Sequence, residues 1–386
     1  MKLLLVCGQI IGLNPFIGVL EKKANKTRYT IYSWRFLYSF VICIAQSLAT
    51  VLSFYSLSNN VTIKSLGNFS FNVSTCLTTI FFFEIAAKWP WLAREVNKTT
   101  FHDHINPKLK KKCEALSLIL LATAAFEHVL SWIARFGEIL DCQPQQTELY
   151  HSFLKLTFPW LFELGLPCSL PLGIILQFFN FISTMNWNYV DLFIVCMSFY
   201  LTAILEKINE KIICARGKYL PSSFWCSLRE DYNRATRLVR SFDAVISRII
   251  FASFASNLFF ICLQLFYLLS NGLKMNFTIK SCPNYSSGPF NGYEHSIYFA
   301  YSLILVLIRS LAVCLIAANV HTASLIPAPI LYDVPSPAYC PEVQRFLEQV
   351  HNDTVALSGF QFFNVTKGLV LSVSMTMFSE TVKILK

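Results

Sequence analysis

The chain has 386 residues, of which 54% are hydrophobic and only 14% are charged. Soluble domains carry about 25% charged residues, so water cannot be the main solvent of this protein. The formal net charge of +10 at pH 7 could suggest a nucleic-acid binder, but the basic residues lie between apolar segments rather than on one soluble domain. The apolar residues occur in blocks of about twenty, which excludes a membrane β-barrel.

The chain begins with Lys2 and a short apolar run that mimics a secretory signal. No small-x-small cleavage site follows this run. We therefore expect the segment to remain as a cytoplasmic helix that faces the membrane and ends near Pro15.

Seven apolar windows predict seven membrane-spanning helices. The fourth window is too long for one perpendicular crossing and should extend beyond the bilayer, whereas the stretch around Pro159 and Pro167 is too broken to span. The windows cover residues 36–57, 71–91, 115–133, 172–205, 249–269, 297–320 and 358–385. The sequence thus predicts an all-α integral membrane protein with one domain over residues 1–386.

Lys and Arg are distributed unequally between the connections. The connections at 1–35, 88–112 and 206–248 hold 22 of them, against 5 at 58–70, 134–171 and 270–296. Cytoplasmic loops are enriched in Lys and Arg, so the first group should lie inside the cell. With seven spans, this places the N-terminus in the cytoplasm and the C-terminus outside, the reverse of a G-protein-coupled receptor.

Five Asn-x-Ser/Thr sequons fall in or beside the loops assigned to the outside and predict N-glycosylation. They are Asn60, Asn68, Asn72, Asn276 and Asn284. A disulfide between Cys142 and Cys168 in the second external loop is one possibility, and free thiols are the other. The 13 cysteines show no metal-ligand spacing, so we expect no metal site.

The sequence contains no phosphate-binding loop, no nucleophile elbow and no zinc-protease or kinase signature, so we expect neither an enzyme nor a cofactor. Polar residues inside the spans are the remaining functional candidates, because ionisable groups are costly there. Glu84 and Lys88 are one helical turn apart in the second span and could pair at the membrane edge.

The third and fourth windows carry the main candidates for ligand binding. Glu127 lies within an apolar run with no basic residue within one turn on its own helix, and it therefore needs a partner. The candidates are Glu127, His128 and Trp132 in the third window and Trp187, Asn188 and Asp191 in the fourth. Aromatic faces, amides and carboxylates together suit a polyhydroxylated ligand; hydrogen bonding that only joins the helices is the alternative.

Arg309 lies in the middle of the sixth window. We expect it to meet either Glu127 or Asp191, as a structural ion pair or as a contact to the ligand. An intramembrane Arg is a functional candidate on either interpretation.

The run at 356–374 resembles the start of the last helix of insect gustatory receptors, most of all of the sugar-receptor clade. The segments 9–18, 187–193, 309–313 and 321–346 also resemble that clade, and the likeness covers nearly the whole chain.

This resemblance implies a seven-helix subunit of a homo- or heterotetrameric, ligand-gated cation channel in the plasma membrane of taste neurons. The implied ligand is a small sugar, bound among the second to sixth helices, and the implied partners are other gustatory receptor subunits and membrane lipid, with no nucleic acid. The last helix of each subunit would line a shared pore.

The C-terminal residues depart from the family pattern. A Thr-Tyr pair, with Glu next in the sugar clade, and then a Gln-Phe pair near the narrow part of the pore are expected, but the chain reads Ser379, Glu380 and Thr381 and ends at Lys386. Four Lys386 side chains, with Lys383 one turn away, would oppose the passage of cations. Either the subunit conducts poorly alone, or its last residues are missing or wrongly assigned, or partner subunits supply the gate.

Two other function classes stay open at this point. A seven-helix G-protein-coupled chemoreceptor is the leading alternative, and the charge distribution argues against it. A secondary transporter is the third, although the sequence lacks the two similar halves that such folds often show.

Overall fold

The computed structural model describes residues 2–19, 27–98, 107–140, 149–165, 169–271, 293–369 and 372. Within these residues the chain is almost entirely helical. The helices are α1 (Lys2–Ile11), α2 (Trp34–Asn59), α3 (Ile63–Lys98), α4 (Pro107–Leu140), α5 (Leu149–Thr157), α6 (Pro159–Glu163), α7 (Leu170–Ala215), α8 (Ser222–Asn271), α9 (Glu294–Leu325), α10 (Pro327–Tyr332) and α11 (Pro341–Asn352). The strands β1 (Phe16–Ile17) and β2 (Arg28–Tyr29) form one antiparallel hairpin, and β3 (Ser358–Gly359) and β4 (Phe363–Asn364) form another.

Six helices in the described part of the chain are long and apolar enough to cross a membrane. They are α2, α3, α4, α7, α8 and α9, and they contain the first six windows. Their ends follow from local sequence: the Ser33 hydroxyl caps α2 by accepting from the Phe36 N–H at 3.1 Å, and Gly217, with φ of 72°, follows the end of α7. A multi-pass, all-α membrane protein is therefore the architecture.

The seventh window begins differently from the prediction. Its first residues form β3 and β4, because the chain reverses at Phe360 and Gln361, which have positive φ values of 50° and 61°. Val365 N–H closes the hairpin by donating to the Leu357 carbonyl at 2.7 Å. Helix starts only at residue 367, so the predicted boundary at 358 is wrong; most of the remaining window lies outside the described residues.

The length of α7 confirms that the fourth window continues past one crossing, and α8 does so as well, which the sequence analysis did not predict. Their 46 and 50 residues correspond to about 69 Å and 75 Å, more than twice the ~30 Å of a hydrocarbon core. The stretch around Pro159 forms only α5 and α6, of 9 and 5 residues, which are too short to span. Pro167 lies outside the described residues.

Helix α7 is the centre of the bundle. Its most apolar segment is 89% buried inside the protein, whereas the corresponding segments of the other five long helices are 22–39% buried. It packs against α9, α4, α8 and α3, so that nearly every face of the helix meets protein. Polar residues of α7 therefore lie in the interior and must find partners on neighbouring helices.

The N-terminal helix α1 contacts α4 and α7. The Tyr189 hydroxyl donates to the Leu4 carbonyl at 3.1 Å and accepts from Asn14 Nδ2 at 2.7 Å. A Cβ atom on Gly8 would overlap both Asn14 and Tyr189, so only glycine permits this approach. One face of α1 is thus covered by protein, and the helix ends before the predicted Pro15 because Gly12 adopts φ of 85°.

The first half of α8 is joined to the segment that follows α10. Arg229 on α8 donates to Glu342 on α11 at 3.0 Å, and Arg345 donates to the same carboxylate at 2.8 Å. These hydrogen bonds, that of Arg229 first, lower the pKa of Glu342, so that the link is present above the ordinary pKa of a glutamate and is lost only at a more acidic pH.

The β3–β4 hairpin is fastened to the same helix. Asp243 on α8 accepts from the Ser358 backbone N–H at 2.6 Å and from its hydroxyl at 2.8 Å, and Phe360 N–H donates to the Ser247 carbonyl at 3.1 Å. The hairpin, which leads into the last segment of the chain, is therefore held by the middle of α8.

Glu84 does not pair with Lys88 as the sequence suggested. Its carboxylate meets Arg248 on α8 at 2.5 Å instead, and the Arg248 guanidinium also lies 5.6 Å from the centre of the Phe360 ring. The partner comes from another helix because α3 and α8 pack together along this face.

Candidate functional site

A buried ion pair joins two of the predicted site residues. Arg309 on α9 places its Nε 2.6 Å from Asp191 Oδ2 on α7, and the two residues are 3% and 1% exposed. The Nε–H is not aligned as a hydrogen bond, so this contact is mainly electrostatic. The expectation that Arg309 meets Glu127 or Asp191 is therefore confirmed for Asp191.

Three amide and hydroxyl side chains complete the surroundings of the pair. Ser253 Oγ and Asn257 Nδ2, both on α8, donate to the Asp191 carboxylate. Arg309 donates to Asn188 Oδ1 through Nη1 and to Asn257 Oδ1 at 3.0 Å through Nη2. Two opposite charges can be kept away from water only when both are paired and hydrogen-bonded, and here both conditions are met. We call these five residues the ion-pair cluster.

Trp187 lies against the ion-pair cluster. The Arg309 guanidinium carbon is 4.4 Å from the centre of its ring, within the range of a cation–π contact. The rings of Phe260 and Phe71 pack on it at 4.8 Å and 5.9 Å between centroids. Trp187 thus connects α7 to α3, α8 and α9.

A second polar group of the interior is centred on Glu127. Ser302 Oγ on α9 donates to Glu127 Oε1 at 2.6 Å, and Gln264 Nε2 on α8 donates to Ser302 Oγ at 3.1 Å. Glu127 thus obtains the partner that its sequence position required, and that partner is a hydroxyl rather than a base. We call these three residues the Glu127 cluster.

The two clusters form two layers of the same bundle. Ser302 and Arg309 are seven residues apart on α9, and Gln264 and Asn257 are seven apart on α8. Seven residues make almost two turns, so both helices present both layers on one face, separated by about 10 Å. The interior between α4, α7, α8 and α9 is therefore polar over at least two turns.

His128 and Trp132 lie at the side of these layers, where α4 meets α7. His128 Nδ1 is 3.2 Å from Thr184 Oγ1, and its ring contacts Trp132 and Phe181 at 5.2 Å and 5.3 Å between centroids. The structure thus places the sequence-predicted residues in one continuous region but does not put His128 or Trp132 in direct contact with the ion pair.

Several buried polar atoms of this region have no hydrogen-bond partner among the described residues. They are His128 Nε2, Trp132 Nε1, Trp187 Nε1 and Gln264 Oε1. Buried polar groups are nearly always paired, so atoms of this kind indicate partners beyond the described residues, and water or a ligand can supply them. Three ring nitrogens and a carbonyl oxygen can bond to the hydroxyls of a polar ligand.

The sequence analysis missed the contributions of α8 and of Ser302. Ser253, Asn257 and Gln264 all lie in the fifth window, and the first two are one turn apart. A signal was present, because small polar and amide residues inside an apolar span often form bonds between helices. Asn257 is the most informative of them, since it contacts both members of the ion pair.

A separate cavity of about 510 Å³ lies between α2 and α7 and is bordered by α3, α5 and α6 and by Arg135 of α4. We call it the α2–α7 slot. The residues of the ion-pair and Glu127 clusters, and Trp187, His128 and Trp132, are not among those that line it.

Three predicted glycosylation sites can be located. Asn60 and Asn68 are exposed, and Asn72 is partly buried in α3; all three line the α2–α7 slot. Asn276 and Asn284, the pore candidates Ser379, Lys383 and Lys386, and the pair Cys142 and Cys168 lie outside the described residues. Glycosylation, the pore role and the disulfide stay predictions.

Comparison with known proteins identifies the family of this chain. Residues 1–382 match the trehalose receptor family. The gustatory receptor for sugar taste 64f of Drosophila melanogaster is 30% identical over 380 residues, which are 96% of this chain and 76% of that protein. The gustatory receptor 5a for trehalose of the same fly is 29% identical over 381 residues, covering 96% and 81%.

A solved structure shares the fold. The insect olfactory receptor OR5 from Machilis hrabei, in complex with eugenol, superposes with a TM-score of 0.64 and 14% identity, over 100% of this chain and 97% of that one. The full-length family match and the similarity to sugar gustatory receptors agree with the resemblance found in the sequence. The chain therefore belongs to the trehalose receptor family of insect gustatory receptors.

Proposed function

We propose that this protein is a sugar receptor subunit that acts as a ligand-gated cation channel in the plasma membrane of taste neurons. Family membership supports a sugar ligand, because two relatives are named for sugar taste and for trehalose. The sugar would bind in the polar interior between α4, α7, α8 and α9.

The main support for the proposed binding site is the set of buried polar atoms that have no hydrogen-bond partner among the described residues. Trp132 and Trp187 each hold an indole N–H without a partner among the described residues, and His128 and Gln264 each hold one further free atom. Desolvated sugar hydroxyls need partners of this kind, and the indole rings offer apolar faces to the C–H surface of a sugar. Asp191 has its hydrogen bonds filled by the protein, so its proposed role is to position the site rather than to hold the ligand alone.

The conducting part of the proposal rests on the last segment of the chain. Four subunits would place Ser379, Lys383 and Lys386 around a shared axis, with the N-terminus in the cytoplasm and the C-terminus outside. Sugar would open the pore by binding the open state more tightly than the closed one.

The test is current recording and calcium imaging in cells that express the chain, alone and with other gustatory receptors, against a panel of sugars. Trp132→Phe and Trp187→Phe keep an aromatic face but remove the indole N–H together with the fused five-membered ring. Loss of the hydrogen bond alone, about 0.5–1.5 kcal/mol, should raise the half-maximal sugar concentration at least about 2- to 13-fold in each variant. Trp34→Phe is the matched control, because Trp34 is 78% exposed on α2. Equal responses in all three variants would contradict the proposed site.

A subunit that needs a partner to conduct is the second candidate. The lysines at 383 and 386 favour it, because a basic ring opposes cations. Sugar-evoked current that appears only on co-expression with a second receptor would select this candidate.

A further inference from the structure

The α2–α7 slot is elongated along the bundle. Along α2 and its C-cap residue, the lining runs from Ala45 to Asn60, a length of about 22 Å. This length is about three quarters of the ~30 Å hydrocarbon core of a bilayer. An extended chain fits such a shape better than a compact ring does.

The long side of the slot borders the surface that faces lipid. Leu48 on α2 and Ile175 on α7 both line the slot and are 57% and 51% exposed. Next to them, Ile44, Val51 and Ile174 continue the exposed apolar surface of the same two helices. The slot therefore adjoins the position that acyl chains occupy around a membrane protein.

The polar groups at the Gln46 end are already paired within the protein. Gln46 Nε2 donates to Ser183 Oγ at 3.2 Å, and Gln46 Oε1 accepts from Thr79 Oγ1 at 2.6 Å. A sugar hydroxyl would have to break these bonds to enter, whereas an apolar chain would leave them intact. This end of the slot therefore favours an apolar occupant.

The Asn60 end has the opposite character. Lys64, Lys155 and Arg135 contribute three positive charges to the lining, and Glu163, which accepts from Ser56 at 3.1 Å, contributes one negative charge. Thr157 Oγ1 is buried at this end without a partner among the described residues. A group with negative oxygen atoms complements these side chains, and a phosphate is such a group.

We propose that the α2–α7 slot binds a phospholipid of the outer leaflet, with one acyl chain along α2 toward Gln46 and the phosphate among Lys64 and Lys155. The assignment to the outer leaflet rests on the proposed orientation, in which the Asn60 end is extracellular. The lipid fills the space between α2 and α7 and is a constituent of the folded subunit rather than the gating ligand.

The test is native mass spectrometry of the purified receptor, reconstituted with dioleoyl phosphatidylcholine and then transferred to detergent. Wild type should retain about one phospholipid per chain. Ala49→Trp places an indole within the slot lining and should reduce the retained lipid at least fivefold. Ile308→Trp is the matched control, because Ile308 is 62% exposed on α9, and it should retain lipid as wild type does.

Lys155→Glu provides a second variant that does not fill the slot. It reverses one charge at the phosphate end and should reduce retention at least threefold even if Ala49→Trp fails to fold. Unchanged retention in Lys155→Glu, or in folded Ala49→Trp, would overturn the proposal. Release of the lipid by trehalose would show that the slot takes sugar and would also overturn the proposal. Sugar-evoked current is recorded separately, so a failure of the channel proposal leaves this measurement valid.

Discussion

Asp191→Ala removes only one carboxylate group, but it should strongly lower the free energy of unfolding of the protein. Asp191→Ala leaves the Arg309 guanidinium 3% exposed, with only the amide oxygens of Asn188 and Asn257 and the Trp187 ring as partners. Loss of one partner from a buried ion pair costs about 3–5 kcal/mol, because the other charge stays buried and uncompensated.

A double variant at Asp191 and Arg309 separates the energy of the ion pair from that of the surrounding hydrogen bonds. Arg309→Met alone should also cost about 3–5 kcal/mol, since Asp191 then keeps only Ser253 and Asn257. Asp191→Ala combined with Arg309→Met removes both charges and should cost about 1–4 kcal/mol, mainly from amide oxygens that lose their donor. The coupling energy, the sum of the two single costs minus the cost of the double variant, should therefore be about 2–9 kcal/mol.

The assay is denaturant-induced unfolding of the purified receptor in detergent micelles, followed by tryptophan fluorescence. The exposed pair Arg216–Asp333 is the matched control, because its atoms are also 2.6 Å apart but its side chains are 64% and 51% exposed. Its coupling should be about 0–1 kcal/mol. Additive costs for Asp191→Ala and Arg309→Met would refute the reasoning.

Three further predictions concern orientation, the hairpin and the pore. A C-terminal epitope should be stained on intact cells and an N-terminal one only after permeabilisation; the reverse pattern would contradict the topology. Asp243→Asn should weaken the two hydrogen bonds that the carboxylate accepts from Ser358 and should therefore lower the melting temperature. Adding Ser358→Ala to that variant should lower the melting temperature only slightly further. Lys386→Gln should raise sugar-evoked cation current in homomeric receptors, whereas Lys218→Gln in the exposed connection between α7 and α8 should not; equal currents in both would remove Lys386 from the pore.

The sequence was sufficient for the membrane class and for six of the spans because bilayer thickness imposes a length that composition reveals. It also identified Asp191 and Arg309, since charges in an apolar span require partners. It did not select Asp191 over Glu127 as the partner of Arg309, because that choice depends on how α7 and α9 are rotated against each other. Such rotations are set by packing between distant residues, which hydropathy does not encode.

The hairpin at 358–364 shows a second limit of sequence reasoning. The run from Leu357 to Phe363 is apolar enough to extend a helix, and Phe360 and Gln361 are not residues that favour positive φ. The hydrogen bonds from Ser358 and Phe360 to α8 determine the turn instead. Tertiary contacts therefore override local preference at this point.

The contact between α1 and α7 has a consequence for biosynthesis. Asn14 and Tyr189 are 175 residues apart in sequence, and Leu4 and Tyr189 are 185 apart. At about 5–20 residues per second, α7 leaves the ribosome roughly 10–40 s after α1. Until then the buried face of α1 can meet α4 but not α7, so α1 cannot complete its docking until α7, the fourth of the long apolar helices, has been inserted.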